Sequence, residues 1–265
     1  MKTIRIEYTR LHFFRKAIEI RAPEKWEELS GRQFAICSRL FLEQVPDDVF
    51  ISEYFGISKK LAGKFSKFEQ YRLIECAGFI SEPKAAVNYF YLKEIPDTYL
   101  CSPEIKLKSV SFEQFMILDT YFFDYVNGHD DDSLCRFVSS LYMKKGESIR
   151  DFDFEERMAY IAAKVDKATM FAIFLNYTFI RKWLSGVFRY LFEYREEDKE
   201  KQPKKNAKNK RAGSGRPDWN SILDGFMGDD ILHEEEYRNL KCIRAFKTIN
   251  NRIKNYKDGK RKPVR

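Results

Sequence analysis

The stretch SFEQFMILDTYFFDYVNGHDDDSLCRFVSSLY, residues 111–142, decides the fold. Its opening, Ser111-Phe112-Glu113-Gln114, has the Ser-x-x-Gln spacing of a capping box, in which each side chain satisfies a backbone N–H at a helix start. Phe115, Leu118, Phe122 and Val126 then recur at helical intervals until Asn127-Gly128, which reads as a stop. Asp130 to Ser133 gives the next helix an acidic start, and Leu134, Phe137, Val138, Leu141 and Tyr142 form an i, i+3, i+4, i+7 stripe. Two amphipathic helices joined by a short polar turn predict a helical bundle.

Working outward, Asp153 with Glu156 opens a third helix carrying Met158, Ile161, Ala162 and Val165. A fourth, roughly Ala168 to Tyr194, is apolar almost all round, as befits a central helix wrapped by others. On the N-terminal side, Ser30-Gly31-Arg32-Gln33 repeats the capping-box spacing, and Phe34, Cys37, Leu40 and Phe41 share a face. Asp47 or Asp48 is expected to cap a short helix through Phe55, and Lys67 to Ala77 makes another that Gly78 ends. Pro83, Pro96 and Pro103 mark an irregular segment. At the start, Ile4, Ile6 and Tyr8 alternate with Arg5 and Glu7, and Ile18 and Ile20 repeat the pattern, which predicts a small hairpin.

The fold class expected is therefore mainly α: a helical bundle with a small N-terminal β-hairpin and a short C-terminal helical segment after a basic linker. The organisation follows as 1–110, an N-terminal α+β region; 111–198, the helical core; 199–216, a flexible Lys-rich linker; and 217–265, a C-terminal helical segment with a basic tail. In the last, a short helix to Met227, a Gly228-Asp229-Asp230 turn, and a helix with Ile243, Phe246, Ile249 and Ile253 on one face are predicted. Two short helices cannot bury that face alone. It must dock on the preceding domain, pair with another copy, or receive a partner, so Trp219, Ile243, Phe246, Ile249 and Ile253 are the candidate partner-binding residues.

Charge supports this division. The net +8 over 265 residues is concentrated in two tracts, +7 from Lys199 to Arg216 and +5 from Lys254 to Arg265, which leaves −4 for everything else. A mildly acidic body carries two cationic appendages. Within the first, Lys204, Lys205, Lys208, Lys210 and Arg211 are the candidate nucleic-acid contacts, since cations on a flexible strand attract phosphate backbones. Nothing beside them reads bases, and a solvated spacer is the competing reading. With 44% apolar residues the chain can bury a core. Five widely spaced cysteines without a Cys-x-x-Cys pair read as reduced thiols of a cytoplasmic protein. The longest uncharged run, Ala168 to Ile180, has thirteen residues, short of the roughly 20 that cross a bilayer. No membrane span and no exported leader are expected.

Enzymatic constellations do not emerge. His12, His129 and His233 are far apart, and His233-Glu234-Glu235-Glu236 lacks the second histidine of a zinc helix. His129-Asp130-Asp131-Asp132 lacks the alternate spacing and distal carboxylate of a Ca²⁺ loop, so its acids read as helix-start residues. Gly213-Ser214-Gly215 has neither a preceding strand nor a following Gly-Lys-Ser/Thr. Asp151/Asp153 and Glu155/Glu156 fit a helix first turn. No catalytic residue, metal ligand or cofactor is assigned.

Trp26-Glu-Glu-Leu-Ser-Gly-Arg-Gln33, Phe112-Glu-Gln-Phe-Met-Ile-Leu-Asp-Thr-Tyr-Phe122, Asn176-Tyr-Thr-Phe-Ile-Arg-Lys-Trp183, Pro217-Asp-Trp219, Tyr237 and Asn250-Asn-Arg-Ile-Lys254 are spread over most of the chain. In these segments the protein resembles an uncharacterised family of Bacteroidales phages and prophages from the virion and tail assembly region. The resemblance implies a helical, non-enzymatic accessory protein, for instance a tail assembly chaperone for the tape-measure protein. It would act in the host cytoplasm during assembly or within the virion. It also implies that Lys204-Lys205-Asn206 could coincide with a slippery codon run, because such chaperones often have a frameshifted, extended form. The partner expected is a phage structural protein, with homo-oligomerisation also open. The alternative is a nucleic-acid-associated phage protein that binds DNA through its basic linker and tail.

Overall fold

In the computed structural model, which describes residues 1–10, 14–192 and 217–261, the chain is mainly helical with one N-terminal antiparallel hairpin. Strands β1 (Lys2–Arg10) and β2 (Phe14–Ala22) pair along nine residues each, with Ile6 opposite Ile18 and Arg5 opposite Glu19. Alternation does the sorting: Ile4, Ile6, Ile20 and Ala22 are buried, while Thr3, Arg5, Glu7, Ala17, Glu19 and Arg21 face water.

The first helix, α1 (Gly31–Arg39), begins with a complete capping box: Ser30 Oγ accepts from Gln33 N–H at 3.3 Å and Gln33 Oε1 accepts from Ser30 N–H at 3.0 Å. Gly31 is required there for space. A Cβ on it would sit 2.6 Å from the Tyr91 carbonyl oxygen, because the 82–110 segment crosses directly over the helix start. Helix α2 (Asp47–Phe55) differs from expectation in its cap, which is Pro46; Asp47 and Asp48 lie in the first turn and act through the helix dipole. Helices α3 (Lys59–Ala62) and α4 (Lys67–Glu75) are capped by Ser58 and Ser66. Gly78 does not end α4. The helix stops at Glu75, and Gly78 opens a separate 3-10 turn.

Helix α5 (Phe112–Gly128) has only half of the predicted capping box. Ser111 Oγ accepts from Gln114 N–H, but the buried Gln114 amide turns inward and donates to the Ser140 carbonyl at 3.0 Å, tying α5 to α6 (Asp131–Leu141). The chain reverses at His129 (φ 53°), one residue later than the Asn127-Gly128 stop implied. Asp130 then caps α6 by accepting from Ser133 N–H at 2.8 Å, and its carboxylate lies where a Cβ on Gly128 would be. Helices α7 (Phe154–Lys164) and α8 (Lys167–Val187) start at Asp153 and Asp166 caps. Helix α8 is central: Phe179 packs on Trp26 and on Phe34 of α1, while Phe174 and Tyr177 pack on Phe122 of α5 and Phe137 of α6. It is broken at Phe188, earlier than the sequence suggested. No helix among the described residues is long and apolar enough to cross a membrane.

Beyond residue 216 come α9 (Trp219–Met227), α10 (Glu234–Asn239) and α11 (Cys242–Arg261). Of the three fates open to this segment, the structure takes the first, docking on the body. Phe112 N–H donates to the Leu240 carbonyl at 2.7 Å and Cys242 N–H donates to the Val110 carbonyl at 2.9 Å, a backbone clasp across the start of α5. Trp219, Phe226 and Phe246 then close edge-on around Phe112, and Phe115 meets Trp219 and Phe246. This corrects the reading of the candidate partner-binding residues. Trp219, Phe246 and Ile249 are buried, and Ile243 and Ile253 pack half-buried against the same core, so their apolar area is already covered within the chain. The partner they needed is the aromatic start of α5.

The glycines separate space from flexibility. Gly31→Ala should destabilise by about 1–3 kcal/mol, because the clash is with backbone that cannot rotate away. Gly186→Ala, in α8 with nothing within 4 Å of a new Cβ, should be neutral or stabilising by up to ~1 kcal/mol. Urea denaturation of the two variants checks both.

Candidate functional site

The groups that sequence chemistry singles out are each held in a local structural role. Asp130 caps α6, Asp132 accepts from Arg136 Nε at 2.8 Å, and Asp131 pairs with Lys167 Nζ at 2.7 Å, so the acidic run is distributed over three separate partners. His129 closes α5 with its ring edge-on to Tyr125. His233 Nδ1 lies 2.6 Å from Asp230 Oδ1, and that contact raises its pKa above the ordinary value. Asp151 accepts from Ser148 N–H, Asp153 caps α7, and Glu155 reaches Arg136. Among the described residues no group of three or more His, Cys, Asp or Glu is gathered as a metal cage. Cys37, Cys135 and Cys242 are buried; burial pushes the Cys242 thiol up to about 12 and the other two upward as well. His12, Gly213-Ser214-Gly215 and the five linker cations Lys204, Lys205, Lys208, Lys210 and Arg211 lie outside the described residues.

The most concentrated polar chemistry is at Asp119, a residue with no solvent exposure on the face of α5 that also carries Phe115, Leu118 and Phe122. Its Oδ1 accepts from Arg181 Nε at 2.8 Å and from the Tyr177 hydroxyl at 3.1 Å, both on α8. Its Oδ2 accepts from the Trp219 indole N–H at 2.9 Å, at the start of α9. The Arg181 guanidinium lies over Phe123 with its carbon 4.4 Å from the ring centroid. Burial works against the Arg181 charge, but the Asp119 carboxylate outweighs it and the Arg181 pKa rises. Burial also lifts the Tyr177 phenol well above its usual range, so it stays a donor. A carboxylate with this many donors is fully satisfied and cannot reach a solute. It fixes α5, α8 and α9 against one another.

Beside it lies an open cleft of about 470 Å³ between α5 and α9, lined by Met116, Ile117, Tyr121, Trp219 and Asn220 and bordered by Glu113 and Arg238. Glu113 is engaged by Arg150 through both oxygens, at 2.6 and 2.7 Å, and Arg150 also bonds Glu235. Arg238 in turn bonds Glu234 at 2.6 Å, so Glu113 and Arg238 are both engaged within the chain.

A second groove, of about 320 Å³, has the opposite character. Leu40, Phe41 and Val45 after α1, Phe50 of α2, and Ile74 and Ile80 around the end of α4 line it, with Asp47 as its charged member. Leu40, Phe41 and Leu42 are exposed to 38%, 40% and 37%, and on α4 Phe68 and Tyr71 are exposed to 68% and 65%. The apolar face predicted from Phe34, Cys37, Leu40 and Phe41 is split by the end of α1 at Arg39: the first two are in the core, the last two at the surface. A third surface is basic, with Arg244, Lys247 and Lys254 exposed along α11.

No family model matches this chain, and neither a curated protein nor a solved structure does. Segments far apart in the sequence meet in space around Asp119. Asp119, Tyr177, Arg181 and Trp219 come from three of them and form one bonded cluster, while Trp26 of a fourth packs on Phe179. Their shared business is packing.

Sequence reasoning missed Asp119 and Arg181 as a pair, although each left a sign. Asp119 is a carboxylate four residues after Phe115 and three before Phe122, inside an apolar stripe, and Arg181 is the first charge after thirteen uncharged residues. Replacing Asp119 with Ala should cost about 2–4 kcal/mol, since it strands the half-buried Arg181 guanidinium and two buried donors. Trp219→Phe should cost about 1–3 kcal/mol by deleting one donor, and much less in the Asp119→Ala background. A double-mutant cycle by chemical denaturation measures that difference.

Proposed function

We propose that the protein is a non-enzymatic assembly protein of a phage tail or virion that works by protein–protein contact in the host cytoplasm. Its partner is a helical phage structural protein, held as a tail assembly chaperone holds the tape-measure protein. The observation that carries this reading is the apolar groove at the end of α1: three consecutive large apolar residues, Leu40-Phe41-Leu42, stand at the surface beside a concave, weakly charged floor. A helix laid into such a groove buries its apolar stripe without needing free backbone groups from the receptor. The phage-family resemblance supports the class of partner.

Co-production with the tape-measure protein should give a complex that survives gel filtration. Leu40→Glu with Leu42→Glu should weaken it by more than about tenfold, as two buried charges would, while leaving thermal unfolding nearly unchanged. A complex indifferent to these substitutions, or none at all, would reject the proposal.

The exposed cations of α11 favour a second reading, association with nucleic acid through the basic linker and tail. Under it, DNA binding falls steeply with salt, and Lys247→Glu with Lys254→Glu lowers the slope of log K against log salt by about 2. Fluorescence anisotropy with a DNA duplex over a salt series measures it, and an unchanged slope would dismiss these contacts.

A further inference from the structure

Among the described residues the hairpin stands as a sheet of two strands, each nine residues long. Alternate residues of β1 turn their N–H and C=O groups toward β2, and the rest turn them outward. No described residue outside the hairpin forms a backbone hydrogen bond to β1, whereas β2 is the strand that touches α2. Strands of this length with an open edge are templates for pairing, and proteins usually blunt them.

The charges at the middle of β1, which would repel an unrelated strand, are self-complementary. The strand's midpoint is Ile6, flanked by Arg5 and Glu7. We infer that β1 pairs antiparallel with β1 of a second copy, centred on Ile6, to make a closed two-fold dimer with a four-stranded sheet. In that register position 6 stands opposite position 6 and position 4 opposite position 8, with Ile4 and Ile6 keeping the burial they already have in each copy, and Arg5 of each copy stands opposite Glu7 of the other on the solvent face. The overlap spans the whole strand, Lys2 to Arg10. The one like-charge meeting, Lys2 with Arg10, falls at the strand ends, where water and salt screen it. A shift by one residue would need the second copy's sheet turned over, setting its Arg5 and Glu7 on the face that carries Ile4 and Ile6 of the first, and a shift by two separates Arg5 from Glu7. Strand β2 offers a poorer match: centred on Ile20 its Glu19 and Arg21 also complement each other, but the strand ends at Ala22 and the overlap is short. The contact is isologous and closes on itself, so it gives dimers and not fibres. It uses a surface separate from the apolar groove, and it stands or falls independently of the partner held there.

Sedimentation equilibrium of the full chain over a wide concentration range tests it. The expected species has twice the 31.6 kDa of the chain. Position 7 faces Ala17 within the hairpin, so Glu7→Arg spares the intramolecular pairs, yet it sets the introduced guanidinium against Arg5 of the other copy, twice in the dimer. Association should weaken at least about tenfold. The triple exchange Arg5→Glu, Glu7→Arg, Glu19→Arg restores every opposition, inside the hairpin and between copies, and should restore the dimer. Hydrogen exchange of the unmodified protein gives a readout that needs no variant: the outward amides of β1 should slow as concentration rises. A chain that stays monomeric at every concentration overturns the inference and leaves the edge to some other extended segment. A dimer that survives Glu7→Arg, or whose β1 amides exchange at the same rate at all concentrations, overturns it as well.

Discussion

The fold depends on one buried carboxylate. Asp119 is surrounded by Phe115, Leu118 and Phe122 along its own helix, a setting in which an uncompensated charge would not be tolerated. Arg181, Tyr177 and Trp219 compensate it, and in doing so they specify how three helices meet. Hydrophobic packing alone permits sliding, since one aromatic ring replaces another at little cost. Hydrogen bonds to a single carboxylate do not permit it, because a small shift leaves a buried donor or acceptor unpaired. The ring cluster of Phe112, Phe115, Phe226 and Phe246 supplies adhesion, and Asp119 supplies register.

That arrangement explains which parts of the structure are legible in the sequence. Helix starts are written locally: Ser30, Ser58, Ser66, Ser111, Asp130, Asp153, Asp166 and Asp218 all accept from the backbone three residues on, and a short-range signal needs no tertiary information. The hairpin is equally local. Ends are harder, because α5 passes through Gly128 to turn at His129 and α8 stops at Val187, decisions taken by packing. The Asp119 cluster draws on residues up to 100 positions apart. Each of its members has an innocent local reading, and only their joint placement on apolar faces hints at a pairing. Gln114 shows the same limit, since its capping-box spacing is genuine but its amide is taken by Ser140 on the neighbouring helix.

Many of the acidic groups of the body are taken up in helix caps and short ion pairs, so its net charge says little about recognition. What stands out at its surface is the placement of apolar and backbone groups instead. Leu40, Phe41 and Leu42 face outward at the end of α1, and among the described residues none outside the hairpin claims a backbone amide or carbonyl of β1. The first suits side chains and the second main chain, and separate elements carry them.

Docking of the C-terminal helices has a consequence for the tract that precedes them. The rings of Phe192 and Trp219 lie 6.2 Å apart, and Leu191 N–H donates to the Asn250 side chain, so the described residues on either side of 193–216 stand at neighbouring points. Two or three residues would bridge that gap. The length of the tract is therefore not dictated by any distance between its anchors, and closure entropy changes only slowly with length. Residues beyond the two or three that span the gap are not needed to hold the C-terminal helices beside α5, which the backbone clasp and the Asp119 cluster do.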